Sequence, residues 1–271
     1  YHRDSSDWHH YESLDDMKFI EDEYFVIYYS AKDSVVERNK ALIAQKYAHE
    51  AIPKAEKFMK TYPYSSMQNG RKLPIYLANT PEDLPGICKQ LGFMVGRGGA
   101  VGYYLFSYGI SGTYTNGIVI SPKAWDVPDI LIGSQTEDKE FRSTLWHEMN
   151  HFIYFSNLDY VKVTMPHLWF TEGLAEFFSE NYNRMLSVRN HNKYDLKRDI
   201  RDGAEYWVGM SAFMCLEKQY QKEVVSDLVV NSYTNSLEKA LRVSVPSGGS
   251  LSAWDREWHI YMTKKEYLHH E

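Results

Sequence analysis

Apolar positions along the chain change their period near residue 138. Before it, short β-branched and aromatic runs are interrupted by one long helical pattern; after it, apolar residues recur at spacings of three and four almost throughout. Glu23–Ser30 (E-Y-F-V-I-Y-Y-S) reads as a strand. From Ser34 to Lys60, Ala41, Ala44, Ala48, Ala51, Ala55 and Phe58 mark a helix, which Pro53 is expected to kink or divide. Leu73–Leu77 is a short strand whose Pro74 suits an edge or a strand start. Thr80-Pro81-Glu82-Asp83 opens a short helix towards Leu91, with Pro in its first turn. Val101–Tyr108 and Tyr114–Ser121 read as strands around a glycine-bounded turn, Gly109 to Gly112.

The second half begins after a linker-like stretch, 122–137, rich in Pro, Asp and Gly. A helix over 138–156 sets Phe141, Leu145, Met149 and Phe152 on its core face. Pro166 is placed for the first turn of a second helix, running to about Asn183. A third helical region is expected over 195–202, leading into an apolar helix from Tyr206. Two short helices are expected within 222–244. The last helix, Leu251–Met262, carries Trp254, Trp258 and Tyr261 as a core stripe. The fold class is therefore α+β: a mainly antiparallel sheet with helices over 23–137, then a helical half over 138–271, with a cleft between them. Residues 1–22 are polar, without strand or helix period, and read as a lead-in to a single domain, 23–271.

Composition narrows this picture. The 271 residues are 44% hydrophobic, which is globular and long enough for a sizeable core. A net charge of −6 gives no basic face for nucleic acid, and no apolar run reaches the length of a membrane span. Cys88 and Cys215 match no metal or redox spacing and read as buried thiols. A chain opening on Tyr1 suits the loss of an upstream piece; with 22 tyrosines, this leads to an expected extracytoplasmic location, whether secreted, periplasmic or surface-tethered.

Candidate chemistry is concentrated in one place. Leu145–His151 reads L-W-H-E-M-N-H, an H-E-x-x-H motif. On a helix His147 and His151 lie one turn apart on one face, where two imidazoles can bind one Zn²⁺. Glu148 is placed to take a proton from metal-bound water. About twenty residues on comes Trp169–Phe177, W-F-T-E-G-L-A-E-F. Glu172 can supply a third ligand. Glu176, one turn further, can hold the free N–H of a ligand histidine. Phe170, Leu174, Phe177 and Phe178 fall on the opposite side, and Gly173 suits a close helix approach. The glycine-rich Gly92–Gly102 is expected to form a flexible loop. It departs from G-x-G-x-x-G at Val101 and lacks Gly-Lys-Ser/Thr.

These motifs together resemble the gluzincin zinc metallopeptidases, in particular the peptidase-MA-like families. The resemblance covers 138–262. It implies a zincin-like fold, one zinc held by His147, His151 and Glu172, and Glu148 as general base. Metzincins are excluded, because Tyr154 and Asn157 stand where their Gly and third ligand belong. Tyr206-x-x-Gly209 resembles the Y-x-x-G of aminopeptidase-like members, which implies Tyr206 as donor to the oxyanion; His167 and His191 are weaker candidates. The G-x-M-E-N of that branch is missing, which favours an endopeptidase acting on a peptide or protein. In the family an edge strand pairs with the substrate backbone, and either Val101–Tyr108 or Thr113–Ser121 can be that strand here. The alternative is a catalytically silent zinc-containing protein of the same fold that binds a peptide or surface partner.

Overall fold

The computed structural model describes residues 13–60, 71–95, 101–109, 112–125, 137–181, 185 and 190–264. The first strands are β1 (Lys18–Glu21), β2 (Phe25–Tyr29) and β3 (Leu73–Leu77), followed by β4 (Gly102–Gly109) and β5 (Gly112–Ile120). They form one sheet in the order β1-β2-β3-β5-β4. Pairing is mixed rather than mainly antiparallel. β1/β2 and β4/β5 run antiparallel, whereas β2/β3 and β3/β5 run parallel. The cause lies in the connections. A helix between two neighbouring strands carries the chain back to the starting end of the sheet, so the strands run the same way. The helix α1 (Ser34–Met59) does this between β2 and β3, and α2 (Asp83–Gln90) lies on the path from β3 to β5.

β1 falls within the stretch read as a polar lead-in. Four residues, three of them exposed, are too few to show a period. Pro74 sits at the second position of β3, in accord with a strand start. α1 runs undivided through Pro53. The proline removes one backbone hydrogen bond, a cost of about 3 kcal/mol or more. Burial of Ala48, Ala51, Ile52, Ala55, Phe58 and Met59 along the same helix offsets it.

One face of the sheet buries Phe25, Ile27, Ile75, Ile118 and Ile120 in the main core, together with α1 and α3 (Glu137–Asn157). The other face packs Tyr76, Leu105 and Val119 against Leu84, Ile87 and Cys88 of α2. Cys88 and Cys215 are free, buried and in separate clusters; burial pushes the Cys88 thiol up to about 12.

The helical half continues with α4 (Leu168–Ser179), α5 (Glu205–Ser232), α6 (Leu237–Ser244) and α7 (Leu251–Thr263). α5 breaks at Gln221 (φ 73°, ψ 167°), so 222–232 and α6 supply the two short helices expected there. Trp254, Trp258 and Tyr261 are buried, and the indole N–H of Trp258 donates to Ser211 Oγ at 2.8 Å.

Several helical expectations fail. No helix spans 195–202, and the segment just before it, His191–Lys193, is a short 3₁₀ turn. Asp195 Oδ1 accepts from Lys197 N–H at 2.9 Å, Asp255 Oδ1 from Leu196 N–H at 2.9 Å, and Arg198 N–H donates to the Asp195 carbonyl at 3.0 Å, which makes one turn that does not propagate. Pro166 stands outside α4, whose N-cap is His167, and α4 stops at Ser179 because Glu180 turns left-handed (φ 58°, ψ 35°). Likewise Pro81 precedes α2 rather than entering it. Residues 96–100 of the glycine-rich loop and 126–136 of the 122–137 linker lie outside the described residues.

Candidate metal centre

α3 is fixed by its apolar face. Phe141, Leu145, Met149 and Phe152 are buried against the sheet and α1. With that face held, His147 and His151 project towards α4, their rings edge to face with centroids 4.7 Å apart. On α4, Phe170, Leu174, Phe177 and Phe178 are buried in the core, while Glu172 and Glu176 turn to α3.

Three candidate ligand atoms converge. His147 Nε2 lies 3.1 Å from His151 Nε2 and 3.1 Å from Glu172 Oε2; His151 Nε2 lies 3.4 Å from the same oxygen. A tetrahedral ion with ligand bonds near 2.0–2.1 Å needs donor atoms about 3.3–3.4 Å apart. The triangle therefore fits a small divalent cation, and among the described residues it is the one His, Cys, Asp and Glu group so arranged. Behind it, Glu176 Oε1 sits 3.3 Å from His147 Nδ1, with Glu176 almost wholly buried. A carboxylate there holds the proton on Nδ1 and turns Nε2 towards an ion.

The electrostatics match this geometry. Burial opposes the His147 cation, but Glu172 and Glu176 outweigh it and hold its pKa well above 6.5. Burial also disfavours the Glu172 anion, yet His151 and His147 pull its pKa well below the usual carboxylate range.

Glu148 lies one residue round from His147, against β4. A β-carbon on Gly102 would stand 2.9 Å from Glu148 Oε1, so a side chain there would displace the Glu148 carboxylate from its place against the strand. Burial pushes the Glu148 carboxyl up. His147, His151 and the backbone N–H of Tyr104 pull it down without cancelling the rise.

A cavity of about 380 Å³ opens over these groups. Gly102, Tyr103, Tyr104 and Phe106 of β4 form one wall; Met165, Pro166 and Leu168 form the other, at the start of α4. β4 is the outer strand of the sheet and β5 is interior, so of the two candidate strands β4 borders the cavity. Tyr206 also lines it, its ring 6.1 Å from that of His147. His167 and His191 do not line it: His167 lies over Trp169, and His191 beside Trp258.

Gly209 belongs to the Y-x-x-G of Tyr206, and it also meets Gly173 backbone to backbone. Two further residues of the site have no motif. Asp199 and Arg201 line the cavity from a stretch expected to be helical. No protein-family model matches the chain, and no curated protein matches it.

Proposed function

We propose that the protein is a zinc-dependent peptidase of the gluzincin kind, acting within peptide chains. The observation that carries this reading is the triangle of His147 Nε2, His151 Nε2 and Glu172 Oε2, backed by Glu176 and flanked by Glu148. Two imidazoles and one carboxylate suit zinc, and three protein ligands leave a coordination position for chemistry. A zinc ion held there supplies Lewis acidity, polarising a peptide carbonyl and lowering the pKa of water.

The chain's own residues do the rest. Glu148 takes the proton of the attacking water and returns it to the leaving amine. Its buried setting and raised pKa suit a group that must both accept and release a proton. Tyr206 donates its O–H to the carbonyl oxygen as charge builds on it. Glu176 keeps His147 in the tautomer that binds through Nε2. The outermost place of β4 among the described strands supports pairing with an extended peptide, whose backbone would then run along the wall beside Glu148.

A quenched fluorescent peptide library tests this reading. Turnover is expected with zinc, lost on chelation and restored when zinc is returned. Turnover indifferent to chelation would remove the metal from the mechanism.

A further inference from the structure

The cavity is lined by one Lys or Arg side chain among the described residues, that of Arg201. Its position is built rather than incidental. Arg201 Nε donates to Asp199 Oδ2 at 2.9 Å, and Asp199 Oδ1 accepts the Leu168 backbone N–H at 2.7 Å. The loop is thereby tied to the first residue of α4, one turn before Glu172. Asp199 divides its charge between this helix N-terminus and the guanidinium, so it does not neutralise Arg201 alone. The contact uses only Nε. The two terminal nitrogens keep their donors, and the side chain, which lines the cavity, is 79% exposed to solvent. Guanidinium nitrogens presented in this way match a carboxylate in charge and in planar geometry.

Resting on the peptidase reading of the same cavity, we propose that Arg201 is a specificity-determining residue that binds a carboxylate of the peptide substrate beside the scissile bond. That carboxylate is either an acidic side chain or a free C-terminus. The second source would make the enzyme release short C-terminal fragments rather than cut mid-chain.

Binding is measured with the zinc-loaded Glu148→Gln variant, which holds peptides without turning them over. Fluorescent peptides are compared in two matched series: Glu, Gln or Lys at each position flanking the bond, and free acid against amide at the C-terminus. In one series the carboxylate form is expected to bind about tenfold tighter or more than its neutral match. The series that discriminates identifies the source. Adding Arg201→Glu should abolish that preference, and in the side-chain series turn it towards Lys. If Arg201 merely braced Asp199, the substitution would weaken all peptides together and leave their ratios unchanged. Equal affinity for charged and neutral peptides in both series would overturn the proposal. Failure of the peptidase reading shows separately, as no cleavage of any of these peptides by the unmodified protein.

Discussion

Gly173 of α4 and Gly209 of α5 touch backbone to backbone: a β-carbon on Gly173 would lie 2.2 Å from both Cα and the carbonyl carbon of Gly209. Glu172 precedes the first glycine and Tyr206 lies one turn before the second. The distance between a candidate metal ligand and the candidate oxyanion donor is therefore set by a contact that tolerates no side chain on either helix.

Gly209→Ala should separate the helices, since its β-carbon would fall 1.9 Å from the Trp169 carbonyl oxygen. Backbone on both sides leaves nothing flexible to move aside. Denaturant unfolding should show a loss at or above the upper end of the about 1–3 kcal/mol usual for overpacking. A loss near zero would mean that the two helices can part freely.

Glu176→Gln should lower zinc affinity by about tenfold or more while leaving the fold intact, because the amide keeps the shape but not the charge that orders His147. Competition with a chromophoric chelator measures it. Unchanged affinity would show that Glu176 fills space only.

In the metal-free protein, pH should act through the ligand residues. The raised His147 pKa stabilises the fold below its ordinary 6.5, a contribution lost as pH rises through the folded value. The lowered Glu172 pKa stabilises it above its ordinary 4.5, a contribution lost as pH falls through the depressed value. Both are present between about pH 4.5 and 6.5. Zinc must displace the His147 proton, so calorimetric titration near neutral pH in buffers of differing ionisation enthalpy should report proton release. No release would show that His147 is neutral before zinc arrives.

Tyr206→Phe should leave zinc content unchanged and reduce kcat by about 10²–10³-fold, the usual cost of one oxyanion donor. Steady-state kinetics on a peptide substrate measures it. An unchanged kcat would reduce Tyr206 to a packing residue.

How much of this was legible beforehand depended on locality. His147, Glu148 and His151 sit within five residues, and helical spacing alone puts the histidines on one face. Glu172 and Glu176 declared themselves against Phe170, Leu174, Phe177 and Phe178, because a helix separates its faces by period. Long helices with a strong period, such as α3 and α7, were read nearly to their ends. What depended on distant partners was not visible. The mixed pairing of the sheet follows from where the crossovers return, and β1 is too short and exposed to have a pattern. Residues 195–202 carry a helical pattern, but Asp255 of α7 holds the Leu196 N–H and Asp199 holds the Leu168 N–H of α4, tertiary ties that the local pattern does not show. Gly209 looked like part of a tyrosine motif, and only the packing of α4 on α5 reveals its contact with Gly173.

The most direct test of the central claim pairs metal content with hydrolysis in the unmodified protein and in Glu148→Gln. The account predicts about one zinc per chain in both, with peptide cleavage in the first and its loss in the second. If Glu148→Gln cleaves as fast as the unmodified protein, Glu148 is not the base. If neither protein retains zinc when supplied in excess, the triangle of His147, His151 and Glu172 is not a metal site and the peptidase reading falls with it.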